Sequence, residues 1–423
     1  MDSIAQLNAP TAAERLAAAR SLADKAPRAG GRDVNNHIHT TYSFSPYSPS
    51  MVVWKALEAG LCTAGLMDHD SVGGAREFLT AAEMMRLPVT VGMECRVSFA
   101  RTPFAERRLN NTDQRGIAYI AMHGIPHNRL DAMERWIRPY REARFVRNRA
   151  MTEKLNALLP GALRLDYLRD VEPLSQASDG GTVTERHLLY ALSHKVITVA
   201  GGELTGFLRR VLGLSLSEKQ AAQLGNPDNP FLAYDLLGVL KADFMERFYI
   251  AATDECPDIA EAGAVARENG VILAYPYLGD VGDSVTGDKK AQAFEDAYLD
   301  ELFANLRPLG FNAVTYMPTR NTAGQLSRLQ ELCKSFGFFE ICGEDINAPH
   351  QNFLCEALRQ PQFSHLYDAT WALIGHELCA EKESGGGMFS NEAEKHMPDM
   401  GERVKAYRDA ALRIYGVDCG GCK

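Results

Sequence analysis

The stretch Asn35-Asn36-His37-Ile38-His39-Thr40-Thr41-Tyr42-Ser43 follows a Gly30-Gly31 break and begins as a short, apolar-flanked strand. In an extended strand, residues i and i+2 point to the same side. His37 and His39 therefore present two imidazoles together at a strand end, an arrangement suited to gripping a transition-metal ion. A lone His-x-His is as readily a pair of ordinary half-buried residues, so the pair needs company to count. Asp68-His69-Asp70, Gly92-Met93-Glu94 and Gly343-Glu344-Asp345 supply it, each following an apolar run of strand type. Four strand ends with ligand-type side chains are hard to explain by accident.

Outward from this stretch the chain alternates. Strand patterns over 34–41, 63–67, 88–91 (with 96–99 as a continuation) and 116–122 are separated by helical patterns over 49–59 and 71–86. Such alternation means βαβ units and a parallel sheet, with reacting groups at the carboxyl ends of the strands. The fourth strand ends at His123-Gly124. Residues 125 to about 250 read instead as helices, over 130–159, 184–194, 216–224 and 230–249, forming an insertion that caps one face of the sheet domain. Alternation resumes with strands over 271–274, 312–316 and 338–342 and helices over 288–306 and 322–336. The expected division is an N-terminal helix in 1–33, a barrel in two parts (34–124 and 251–365), the helical insertion at 125–250, and a helical extension with a Gly/Cys tail at 366–423. The first helix, over 11–25, opens with Thr11 and Glu14 at capping-box spacing.

Composition narrows the class. A 46% hydrophobic and 23% charged chain of 423 residues is an ordinary globular protein with room for one large domain and insertions. The net charge of −9 argues against a partner held through nucleic-acid phosphates, which requires clustered Lys and Arg. No run of about 18 apolar residues is present, so no membrane span is expected. Met1-Asp2-Ser3-Ile4-Ala5 lacks the start of a signal peptide, and nine scattered cysteines suit a reducing compartment. The expected location is the cytoplasm. Oligomeric state is not legible.

The order His-x-His, Asp-His, Gly-x-Glu and a late Gly-x-Asp resembles the polymerase and histidinol phosphatase (PHP) family. Ser48-Pro49 leading to Glu58-Ala59-Gly60-Leu61, and Met67-Asp68-His69-Asp70-Ser71-Val72-Gly73-Gly74, are similar to that family's phrasing. The resemblance covers 34 to about 124, 270–350, and Thr184-Glu185-Arg186-His187. It implies an α/β fold, a distorted (β/α)7 barrel with a metal cluster at its carboxyl-terminal mouth and, here, a large helical insertion. The activity it implies is hydrolysis of phosphate esters.

By the same resemblance, a first metal is held by His37, His39, Glu94 and Asp345. A second shares Glu94 and expects two histidines, where this chain has Tyr275 and, on the fourth strand, Tyr119, with His123 nearby as a substitute. A third expects positions that here hold Phe44, His69 and Asn347. Phe44 cannot bind a metal and Asn347 offers only a neutral carbonyl oxygen. The expectation is one tightly held divalent ion, Zn, Mn or Fe, and a second where His123 or Tyr275 joins Glu94. The reading is attack of a metal-bound hydroxide on a small phosphate mono- or diester. Asp68, His69 and His123 orient ligands or move protons, and Arg186, His187, Arg320, His127 and Tyr275 face the substrate. The competing reading is a degenerate barrel that binds a ligand or protein without turnover; a third is hydrolysis of an amide or cyclic ester.

Other features carry less. Arg141, Arg144, Arg147 and Arg149 read as a solvated helix face, with a phosphate-facing role the lesser alternative. Cys419-Gly420-Gly421-Cys422 reads as a frayed tail, and Asp280-Val281-Gly282-Asp283 lacks the spacing of a calcium loop.

Overall fold

The computed structural model describes residues 3–28, 31–111, 113–281, 292–383 and 385–417. The Cys419/Cys422 pair and the Gly282-Asp283 half of the cation-like loop lie outside the described residues. Seven strands, β1 (Val34–Ile38), β2 (Thr63–His69), β3 (Val89–Ser98), β4 (Ile117–His123), β5 (Ile272–Pro276), β6 (Ala313–Tyr316) and β7 (Phe339–Cys342), lie side by side in chain order. A bridge between Ile38 and Ile346 brings the end of β7 back to β1, so the sheet is a nearly closed barrel. The architecture is the distorted (β/α)7 barrel with helical insertion expected from the sequence.

The strands are not all parallel. β4 pairs antiparallel with both β3 and β5, which corrects the expectation of an all-parallel sheet. A parallel neighbour needs a crossover, usually a helix. The loop between β3 and β4 holds no helix among its described residues, so the chain turns back beside β3. His123 therefore ends its strand at the opposite rim, paired with Ile272 at the start of β5.

The helices are α1 (Ala12–Leu22), α2 (Pro49–Glu58), α3 (Ala75–Met85), α4 (Leu130–Ala157), α5 (Glu185–Ala200), α6 (Leu204–Val211), α7 (Glu218–Leu224), α8 (Leu232–Phe248), α9 (Ile259–Glu268), α10 (Leu299–Leu306), α11 (Ala323–Phe336), α12 (Ser364–Lys382), α13 (Asn391–His396) and α14 (Met400–Tyr415). Both halves of the Thr11/Glu14 capping box form on α1. The helix expected over 288–306 begins only at α10. Before it, Val281 bridges Gln292 and Phe294 donates its N–H to Asp280 Oδ1 at 2.6 Å, drawing this stretch into the loop after β5.

Three apolar layers position the site. The largest lies between the barrel and its outer helices. A second fills the inner floor, where Met67, Ala121, Ile272 and Ala274 meet Ala369, Ala372 and Leu373 of α12. The third belongs to the helical insertion, and Phe44 from the loop after β1 is part of it. Phe44 sits edge-on to His187 and Tyr190, with centroids 5.0 and 5.7 Å away. This contact ties the barrel mouth to its cap.

Candidate metal centre

The bulge in β1 shapes the site. Three steps along β1, from Asn35 to Ile38, match only two along β2, from Ala64 to Leu66. His37 and His39 still end on one side, their ring centroids 5.1 Å apart. Gly343 allows the end of β7 to lie against them, since a Cβ there would sit 2.6 Å from His37 Cβ. The parallel pairing of β2 and β3 places His69 beside Glu94.

Glu94 Oε2 is the hub. His37 Nε2 lies 3.5 Å from it, His39 Nε2 3.9 Å and His69 Nδ1 3.4 Å. Asp345 Oδ1 lies 3.1 Å from His39 Nε2. All three of these nitrogens are buried without a hydrogen-bond partner. Bonds of about 2.1 Å in a tetrahedral arrangement put donor atoms about 3.4 Å apart. The mixed His and carboxylate set, its spacing and its unsatisfied nitrogens fit a divalent transition metal, and His37, His39 and Glu94 form a compact trio able to hold one. Burial alone pushes the Asp345 and Glu94 carboxyls up. It is outweighed by His39 at Asp345 and by His69, His37 and His39 at Glu94, which hold both well below the usual carboxylate range. Burial pushes His69 down to about 3, leaving a neutral imidazole suited to ligation.

Neighbouring residues orient these groups. Asp68 is fully buried and accepts from the Thr40 N–H at 2.7 Å, the Thr40 hydroxyl at 2.6 Å and the Ser43 hydroxyl at 2.7 Å. Ser43 Oγ is 3.3 Å from His39 Nδ1, so Asp68 acts on His39 through Ser43 and does not itself reach the centre. Asn347, expected as a ligand, is committed elsewhere. Its Nδ2 donates to Asp345 Oδ1 at 2.6 Å and its Oδ1 accepts from Arg186 Nη1 at 2.5 Å. It braces Asp345 and links it to a guanidinium.

A pocket opens above the cluster. His37, His69, Glu94, Asp345 and Asn347 line its inner end, and Arg186 and Arg320 its walls. The remaining expected site residues lie elsewhere. Tyr275 is fully buried and faces the outer core, 6.0 Å from the Phe311 ring, because its neighbour Ala274 takes the inward position opposite Ala121. His127 sits beneath the barrel, its Nε2 3.1 Å from Glu377 and its Nδ1 3.4 Å from Glu381. His187 closes the first turn of α5, its Nδ1 accepting from the Thr184 N–H at 2.9 Å. His123 is buried and does not line the pocket. Burial and then His37 push it down to about 3, so it is a neutral imidazole below the cluster.

The arginines of α4 overturn the solvated-face expectation. Arg141, Arg144 and Arg147 are buried, and only Arg149 of the four is exposed. Arg144 pairs with Asp70 and, at 2.7 Å, with Glu185. Arg147 pairs with Glu255 and, at 2.5 Å, with Glu185. Arg96 joins them, 2.8 Å from Glu185 and 3.0 Å from Glu255. The three cations and three carboxylates brace the pocket wall against the cap. The i, i+3 spacing of Arg141, Arg144 and Arg147 was the available signal: it puts all three on one helix face. Their carboxylate partners Asp70, Glu185 and Glu255 come from three separate segments, so sequence could not supply them.

The PHP domain family model matches residues 35–225. No curated protein matches the chain. Among solved structures, a proposed metal-dependent phosphoesterase from Bifidobacterium adolescentis is 18% identical, with a TM-score of 0.50, covering 79% of this chain and 95% of that one. An amidohydrolase from Chromobacterium violaceum, solved with sulfate and no metal, is 16% identical with the same TM-score, covering 80% and 96%. Both likenesses are of fold. Residues 35–225 thus carry the match to the PHP domain family, and the seven-stranded barrel agrees with it.

Proposed function

We propose that the protein is a metal-dependent hydrolase acting on a small phosphate mono- or diester. The observation that carries this is the convergence of three unsatisfied histidine nitrogens on Glu94 Oε2, with Asp345 alongside, at the base of a pocket walled by arginine. His37, His39, Glu94 and Asp345 would hold one ion, with His69 as a further donor. A bound divalent ion supplies Lewis acidity toward a phosphoryl oxygen and acidifies water. The chain's own residues do the rest. Asp68, through Ser43, fixes the ring of His39; Asn347 fixes Asp345; and Arg186, on the same bridge, brings positive charge to the transferring group. The likeness to a proposed phosphoesterase supports the reading, and the likeness to an amidohydrolase keeps amide or cyclic-ester substrates in the screen.

The competing reading, a barrel that binds without turnover, draws on Phe44 and Tyr275, which have gone to apolar cores. Elemental analysis of protein purified without chelator, with His39→Ala beside it, decides. About one equivalent of Zn, Mn or Fe, lost in the variant and accompanied by turnover of 4-nitrophenyl phosphate or its diester, is expected. No metal, and none regained on soaking, would leave the binding module.

A further inference from the structure

Tyr119 is a pocket residue with an unusual hydrogen-bond position. β3 and β4 pair Arg96 with Tyr119 and Glu94 with Ala121. Residues 94 and 96 share one face of β3, and 119 and 121 one face of β4, so Tyr119 stands one inward rung beyond Glu94. Its ring is 5.8 Å from the ring of His69, and both line the pocket. Arg96 Nε donates to the phenolic oxygen at 3.0 Å. Arg96 cannot swing away, because its Nη1 is held by Glu185 at 2.8 Å and Glu255 at 3.0 Å. The phenol oxygen thus has one acceptor position filled by a fixed cation. Among the described residues no acceptor takes its proton. A phenol keeps that proton below about pH 10 and can donate it in a hydrogen bond.

We infer that Tyr119 donates its phenolic hydrogen bond to a non-bridging phosphoryl oxygen of the substrate, oriented for that task by Arg96. The inference rests on the phosphate-ester reading above. No bond to the proton breaks: it stays on the phenol, and the oxygen it meets gains a donor in a place where water is displaced. Arg96 is the positioning residue and Tyr119 the one in contact. Donation from a phenol polarised by a guanidinium is favourable toward an anion, and the chain offers it in the pocket that Arg186 and Asn347 also line. The phosphoryl group would then meet two protein donors, Tyr119 and Arg186.

Tyr119→Phe removes the hydroxyl and keeps the ring. On full-length protein loaded with Mn or Zn, the readouts are metal content, melting temperature, calorimetric affinity for inorganic phosphate, and kcat and KM on 4-nitrophenyl phosphate. The expected result is an unchanged metal equivalent and melting temperature, with phosphate affinity and kcat/KM each lower by about 10- to 100-fold. Arg96→Lys, which keeps a cation but withdraws the Nε donor, should lose part of the same affinity. Values within twofold of the parent for Tyr119→Phe, where the parent is active, overturn the inference and leave the phosphate-ester reading intact. Loss of metal in Tyr119→Phe also overturns it, assigning the phenol to the metal centre. A parent that neither binds phosphate nor hydrolyses any ester removes the underlying reading and this inference together.

Discussion

The histidines of the barrel mouth and two under the barrel, His127 and His376, are treated in opposite ways. At the mouth, His37, His39 and His69 each leave a ring nitrogen without a hydrogen-bond partner, facing carboxylate oxygens 3.1 to 3.9 Å away. Under the barrel, His376 faces the Gly270 carbonyl through Nε2 at 2.8 Å and accepts the Met388 N–H at Nδ1, also at 2.8 Å. His127 bridges Glu377 and Glu381. A buried polar group without a partner is costly, so it persists where something else satisfies it. Histidines satisfied by the protein hold the floor together. The histidines left unsatisfied gather at the mouth, with His123 Nε2 below them, around the trio that could hold an ion.

The largest break of this contrast should come from His39→Ala: loss of the metal equivalent and a fall in kcat of about 1,000-fold, on the order of 4 kcal/mol, with little change in fold. Elemental analysis and steady-state kinetics check it. Glu377→Ala attacks the floor instead. It strips partners from the Thr90 hydroxyl, the Val91 N–H at 2.8 Å and His127, and should cost about 3 kcal/mol in denaturant unfolding while metal content stays at the parent value. If metal were lost as readily there as in His39→Ala, the division between the two sets would fail.

A third measurement concerns pH. Glu295 is fully buried, and burial pushes its carboxyl up to about 7 even though it accepts the Leu278 and Gly279 N–H groups. The native state then holds a proton that the unfolded chain releases near pH 4.5. Its contribution is complete below that value and is lost as pH rises toward 7, by about 3 kcal/mol in total. Melting curves from pH 4.5 to 8 should show this decline in the parent and a flatter profile in Glu295→Gln. Arg186→Ala, at the ligand bridge, should raise KM for a phosphate ester about 10-fold with metal content retained. Arg149→Ala should change stability by less than about 0.5 kcal/mol, since its nearest carboxylate is 4.0 Å away and its side chain is 56% exposed.

Much of the site was legible because its signal is local. The spacing of His37 and His39 sets their common side whatever the rest of the chain does, and apolar runs ending in Asp68-His69-Asp70 and Gly92-Met93-Glu94 mark strands whose ends carry chemistry. The histidines at 127 and 187 misled for the same reason. Residue type and proximity to a strand or helix end suggested substrate contact, whereas the deciding facts are Glu377, 250 residues away in sequence, and a cap on the histidine's own helix. Tyr275 misled by one position: a single step along β5 turns a side chain from the barrel interior to the outer core.

The sequence by itself determined the alternation of strands and helices, the helix-rich stretch after the fourth strand, and the strand ends that carry His37, His39, His69, Glu94 and Asp345, because strand and helix periodicities and strand-end residue types are properties of short segments. Tertiary structure alone decided the reversal of β4, the burial of the α4 arginines against Glu185, Glu255 and Asp70, and the placing of Tyr119 on Arg96. Each depends on which distant segments meet. The partner of a charge or a strand is set by the closure of the whole barrel, and no local pattern records it.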